Sequence, residues 1–196
     1  MTSLLIFQPV NQPGAASADL RFGGLPVCSR RTPFEWPMCK ECKKPLQFTA
    51  QIPVDKQLLL VFLCQNDPGM CESWDANSGA NRCVFVGAHD VVAVQPPPQG
   101  ETHMAQAFAG TVETVDTDYD TAREARKEQA IVGGQLGGTP AWIQGDETPV
   151  CDQCQTPMQF VAQFEEIGDA NFGSAGCAYV FQSVCHGPAA RVLTQC

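Results

Sequence analysis

Strict alternation of apolar and polar residues marks one stretch of this chain more clearly than any other. Leu46, Phe48, Ala50 and Ile52 are apolar, while Gln47, Thr49 and Gln51 between them are polar. A period of two is that of a strand, and the pattern predicts a half-buried one. Met158, Phe160, Ala162 and Phe164 repeat the apolar positions near the other end. A more continuously apolar run follows each time, Leu58–Cys64 and Ala178–Cys185, and suits the neighbouring strand of the same sheet. Cys83–Val86 and Val91–Val94 read as two short strands around a turn at Gly87–Asp90, stopped by Pro96-Pro97-Pro98. The lead-in over residues 1–22 offers only a short strand at Leu4–Phe7. Helix-forming composition occurs at Thr121–Ala130, with Thr121 as its cap and a glycine pair beyond.

The alternating stretches belong to a longer duplication. Pro37 to Gln51 and Pro149 to Gln163 agree at eight of fifteen positions, including both cysteines of a Cys-x-x-Cys pair. Unrelated segments share roughly one. Upstream, Gly23-Gly24-Leu25-Pro26 returns as Gly137-Gly138-Thr139-Pro140. Paired glycines before a proline make a turn that tolerates positive φ and then exits extended. The expectation is a β-rich α+β protein of two tandem homologous repeats. Each repeat is a Cys-x-x-Cys zinc knuckle leading into an antiparallel sheet, and a connection with one short helix joins them. The first repeat with its lead-in takes residues 1–98, the connection 99–133 and the second repeat 134–196.

Composition narrows the function. With 44% hydrophobic residues in 196 the chain can fill a core, and its 17 Gly and 15 Pro favour many turns over long helices. The net charge of −9 excludes a binder of the phosphate backbone and permits a basic protein partner. No stretch approaches the roughly 18 apolar residues that span a bilayer. Leu4–Phe7 is too short for a signal-peptide core and has no basic run before it, so a cytoplasmic location is expected. An odd count of eleven cysteines, with two Cys-x-x-Cys pairs, favours thiolates on a metal over a disulfide scaffold.

The first candidate site is Cys39, Cys42, Cys64 and Cys71. A short Cys-x-x-Cys turn places two sulfurs on one side of a loop, and tetrahedral zinc needs two more soft ligands from elsewhere. Cys64, ending the neighbouring strand, and Cys71 can supply them. In the second candidate site Cys151, Cys154 and Cys185 match the first three, and Cys196 is the preferred fourth ligand, ahead of His186 and Cys177. One or two structural zinc ions per chain are expected. Both loops lack the glycine that often follows the second cysteine, having Lys43 and Gln155 there. A thiol–disulfide role needs the pair to open a helix in a βαβ unit, and here each pair leads into a strand. Cys28 and Cys83 read as core residues. There is no nucleophile elbow, phosphate loop, His-Glu-x-x-His or Gly-x-Gly-x-x-Gly motif, so no catalytic residue is assigned.

These motifs resemble a known group. The Gly-Gly-x-Pro turn, the Cys-x-x-Cys-x-x-Pro-[Leu/Met]-Gln-Phe-x-x-Gln strand, Gly176-Cys177-Ala178-Tyr179-Val180-Phe181 and, above all, Gly137-Gly138-Thr139-Pro140-Ala141-Trp142-Ile143-Gln144 are similar to the YwqG-like bacterial proteins and the related programmed-cell-death-protein-two group. The resemblance covers roughly residues 20–94 and 131–196. It implies a duplicated β-rich fold without known enzymatic activity. The eukaryotic members are implicated as chaperones of a newly made ribosomal protein, and some bacterial ones lie near toxin systems. The first half departs from the signature at Val27-Cys28, where the second has Ala141-Trp142.

The functional expectation is a non-enzymatic, zinc-stabilised protein-binding or chaperone-like protein. Its partner contacts would come from Trp142 and Gln144 after the second turn and from Trp74, Asp75 and Asn77 in the first-half loop. An immunity protein that neutralises a toxin is the alternative. A small metal-dependent hydrolase using Asp75–Asn81 with His89 or His186 is the rival from another class.

Overall fold

The computed structural model describes residues 1–10, 16–185, 187 and 189–196. In chain order its elements are β1 (Thr2–Pro9), β2 (Arg21–Gly23), β3 (Val27–Ser29), β4 (Gln47–Val54), β5 (Gln57–Leu63), β6 (Asn81–Gly87), β7 (Val91–Ala93), β8 (Ala107–Val115), α1 (Tyr119–Arg126), β9 (Ile131–Leu136), β10 (Gln159–Glu165), β11 (Cys177–Gln182) and β12 (Ala190–Gln195). Among the described residues, a ten-stranded antiparallel sheet runs β12-β11-β10-β9-β1-β8-β2-β4-β5-β6. β3 and β7 form a separate two-stranded sheet. The strands at Cys83 and Val91 are therefore present but do not pair with each other.

The sheet is arranged symmetrically about β1 and β8, which pair from Thr2↔Val115 to Pro9↔Phe108. β1 precedes β2 in sequence yet pairs with β9, and β8 precedes β9 yet pairs with β2. Each therefore adds to the set of four strands that it does not lead into. β1 is eight residues long, twice the length expected. β8 lies in the stretch where only a helix was expected. At the two ends of the sheet β6 and β12 face each other: Asn81 Nδ2 donates to the Val192 carbonyl at 2.9 Å, and the Thr194 N–H donates to the Ser73 carbonyl at 3.1 Å. The sheet is nearly closed.

Among the described residues, buried clusters lie both inside the curved sheet and outside it. The inner core holds Phe7, Phe22, Ala50, Ile52, Leu59, Val61, Phe108, Ala162, Phe164, Ala178 and Val180. The Phe22 ring lies 5.8 Å from Phe7 and 5.7 Å from Phe164. On the outer face Leu46, Phe48, Leu58, Leu60 and Phe62 pack with Val27, Phe34 and Trp36, and the β3–β7 sheet covers them. The equivalent outer patch is Met158, Phe160, Tyr179 and Phe181 with Trp142.

This division corrects the half-buried reading of β4. The register shifts between Phe48 and Ala50, and again between Phe160 and Ala162. An extra residue in one strand turns the following side chains over. Leu46 and Phe48 therefore serve the outer core and Ala50 and Ile52 the inner one. The intervening Gln47, Thr49 and Gln51 are buried as well. The helix is also displaced from Thr121–Ala130. Asp118 caps it, accepting from the Thr121 N–H at 3.0 Å and from Thr121 Oγ1 at 2.8 Å, and Tyr119 and Ala122 are its buried face.

Candidate metal centres

Both Cys-x-x-Cys loops are built in the same way. The Cys39 N–H donates to the Lys44 carbonyl at 2.9 Å, the Lys43 N–H to Cys39 at 3.1 Å and the Leu46 N–H to Pro37 at 2.9 Å. In the second loop Cys151 donates to Thr156 at 2.9 Å, Gln155 to Cys151 at 2.8 Å and Met158 to Pro149 at 2.8 Å. The residue after the second cysteine is left-handed in both, Lys43 at φ 61° and Gln155 at φ 58°. That conformation explains why glycine often stands there, and a side chain in it costs roughly 1–2 kcal/mol.

In the first half the loop lies beside the end of β5, because Gln47, just beyond it, pairs with Leu63, just before Cys64. Cys71 arrives from the long loop between β5 and β6. The thiols of Cys39, Cys42, Cys64 and Cys71 all lie within 4.8 Å of one another, and the Cys42 and Cys64 sulfurs are 3.6 Å apart. Four thiolates about 2.3 Å from one tetrahedral zinc would sit roughly 3.8 Å apart, so the set fits such an ion. Cys39, Cys64 and Cys71 are buried. Burial pushes the Cys39 and Cys71 thiols up. Cys42 is held below the ordinary thiol value despite its own burial, by the Lys44 N–H and the thiols of Cys64, Cys39 and Cys71. Cys42 is thus readier to ionise than Cys39 or Cys71, and a captured cation would favour ionisation of its neighbours.

The second half gathers Cys151, Cys154 and Cys185 within 4.8 Å of one another. Cys154 and Cys185 meet at disulfide proximity, but their Cα atoms are 7.5 Å apart. Disulfides span about 4.4–6.8 Å. With Cys151 close to both, a shared cation suits the backbone spacing better than a bond between two of the three. Two hydroxyls border the cluster and carried no signal in the sequence pattern. Thr156 Oγ1 is 2.8 Å from the Cys154 sulfur, and Ser183 Oγ is 3.5 Å from that of Cys151. The contact with Ser183 and the N–H groups of Cys154 and Gln153 hold the Cys151 thiol low.

Cys196 does not join this cluster. β11 and β12 pair from Cys177↔Gln195 to Gln182↔Ala190, and the cluster lies past the Gln182 end. Cys196 and Cys177 are at the other end, roughly 17 Å along the strands. Cys196 lies instead against Gly173, where an added Cβ would come within 2.8 Å of its sulfur. His186 lies outside the described residues. The difference between the halves is one of loop length: residues 64–80 join β5 to β6 and bring Cys71 back, while residues 183–189 join β11 to β12 directly.

The expected partner-contact residues separate. Trp74, half exposed, and Gln144 line one groove of about 500 Å³ together with Glu147 and Phe172. Asp75 turns inward on its own loop, accepting from the Asn77 N–H at 2.8 Å. Asn77 lines a different cleft. Trp142 packs on Tyr179, ring centres 4.5 Å apart, and on Phe181 at 5.8 Å, which makes it part of the outer core. His89 follows β6 while Asp75–Asn81 lead into it and end on its first residue, so the strand holds the two apart by about 20 Å. No protein-family model matches the chain, and neither does any curated protein.

Proposed function

We propose that this chain is a non-enzymatic protein-binding or chaperone-like protein of the YwqG-like kind, built of two tandem repeats and stapled by structural zinc. The observation that carries the reading is the four-thiol set of Cys39, Cys42, Cys64 and Cys71, three of them buried. A four-thiolate site leaves no position for water or substrate, so its role is to hold chain segments together. Matched loop hydrogen bonds, the matched left-handed residues and the matched bulges in β4 and β10 support the two-repeat reading. Trp74 over the groove with Gln144 and Glu147 is the surface best suited to a basic segment, since an aromatic face and a carboxylate both attract a cation.

Capture from the native host, followed by reconstitution from purified components, tests the binding role. A stoichiometric partner whose affinity falls on Trp74→Ala supports it, and a basic ribosomal protein would favour the chaperone form over a toxin-neutralising one. Absence of any reconstituted complex, together with metal-dependent hydrolysis that Cys154→Ser abolishes, would favour the hydrolase instead.

A further inference from the structure

On a chain of net charge −9, one cleft carries the opposite sign. It has a volume of about 560 Å³ and lies where the two ends of the sheet face each other, between the two Cys-x-x-Cys loops. Lys40 of the first loop, Arg82 of β6 and Arg191 of β12 line it, against Asp152 of the second loop. Arg191 is ion-paired with Asp152. Neither Lys40 nor Arg82 has an ion-pair partner among the described residues. Lys40 is held against the wall of the cleft. Its N–H donates to the Gly79 carbonyl at 3.0 Å, and its stem lies so close over Gly79 that a Cβ there would meet Lys40 Cδ at 2.4 Å. Gly79 also sits at φ 85°, so a side chain at this position is disfavoured twice.

One further feature points to an occupant. β6 pairs only with β5 and β12 only with β11, and across the gap the Val192 carbonyl and the Thr194 N–H of β12 are already taken by Asn81 Nδ2 and the Ser73 carbonyl. Asn81, which lines the cleft, is buried, and its Oδ1 has no hydrogen-bond partner although Nδ2 is fully used on the carbonyls of Ser73 and Val192. A buried acceptor without a donor in the wall of the cleft suits a hydrogen-bond donor brought by an occupant.

We infer that this cleft docks an extended acidic segment of a partner protein along its wall, over the closed junction of β6 and β12, with Lys40 and Arg82 taking its carboxylates. Sign separates the two surfaces: the groove at Trp74 suits a basic segment and this cleft an acidic one. The inference does not rest on metal in either cluster.

The test uses the full chain and a fluorescent peptide alternating glutamate and valine. A lysine–valine peptide of equal length and an oligothymidylate are the comparison probes, all followed by anisotropy at low ionic strength. The expected result is saturable binding of the acidic peptide alone. Affinity should fall with added salt and by at least about tenfold in Lys40→Glu/Arg82→Glu. Amide hydrogen exchange should slow in β6 and β12 on binding. Arg82→Glu alone, exposed and outside the Cys-x-x-Cys loop that holds Lys40, should also weaken binding while keeping the melting temperature and metal content. No saturable binding, unchanged affinity in the variant, or equal binding of the oligothymidylate would overturn the proposal. Metal measured on the same samples separates this outcome from failure of the zinc reading.

Discussion

Thr194 donates its backbone N–H to the carbonyl of Ser73, 3.1 Å away, across the gap where the two ends of the sheet meet. Their hydroxyls are also 3.2 Å apart. Ser73 lies two residues after Cys71, so the loop that completes the first thiol cluster is the loop that closes the sheet. A cation held by that cluster would be mechanically linked to closure of the sheet through one short segment.

Asn81 is the second clasp. Its Nδ2 donates to Ser73 at 2.8 Å and to Val192 at 2.9 Å, one carbonyl on each side of the gap. Asn81→Ala is expected to cost about 1–3 kcal/mol in urea denaturation, because two donated bonds vanish from a buried site. A change within measurement error would mean that the sheet ends are not held by this side chain.

The two tryptophans of the candidate surface should behave differently. Trp142 stacks on Tyr179 and Phe181 and is partly buried. Trp142→Ala should destabilise by about 2–3 kcal/mol, somewhat below the roughly 3–5 of a fully buried aromatic. Trp74, half exposed, should give a Trp74→Ala change within about 0.5 kcal/mol. Thermal melting of both variants checks the pair.

Alkaline stability reports on Cys177. Burial, reinforced by the nearby Glu165 carboxylate, pushes its thiol from the ordinary 9.0 up to about 11. The folded pKa is raised, so the unfolded chain loses its proton first. The stabilisation is complete below pH 9 and is lost as pH rises toward 11, by at most about 2–3 kcal/mol. Burial pushes Tyr119 up as well, adding a loss of the same sign at higher pH. Cys177→Ala should flatten the first part of this decline in denaturant titrations.

How much of this was readable beforehand follows from the range of the interactions involved. The first thiol set was legible because Cys-x-x-Cys and the strand end carrying Cys64 are joined by local spacing, and strand pairing brings them together. The neighbouring pairs of β4 with β5 and β10 with β11 followed from the apolar runs for the same reason. The bulges were not legible, because Leu46-Gln47-Phe48-Thr49-Ala50 keeps its alternation in sequence while the backbone turns over at Thr49. β8 was missed because its alanines, threonines and Gly110 carry little apolar signal, and its partner β1 lies about a hundred residues away. Residue type alone points to Cys196 as a ligand, and the β11–β12 register places it at the opposite end of the strand.

The proposed staple is one cation shared by Cys39, Cys42, Cys64 and Cys71. Elemental analysis of the purified chain, paired with cobalt substitution, addresses it directly. At least about one zinc per chain is expected, with the intense visible bands of tetrahedral cobalt thiolate. Cys71→Ser should remove about one equivalent, while Cys154→Ser should leave the first site filled. Less than about one metal per chain, or a Cys71→Ser protein with undiminished metal, would contradict the account.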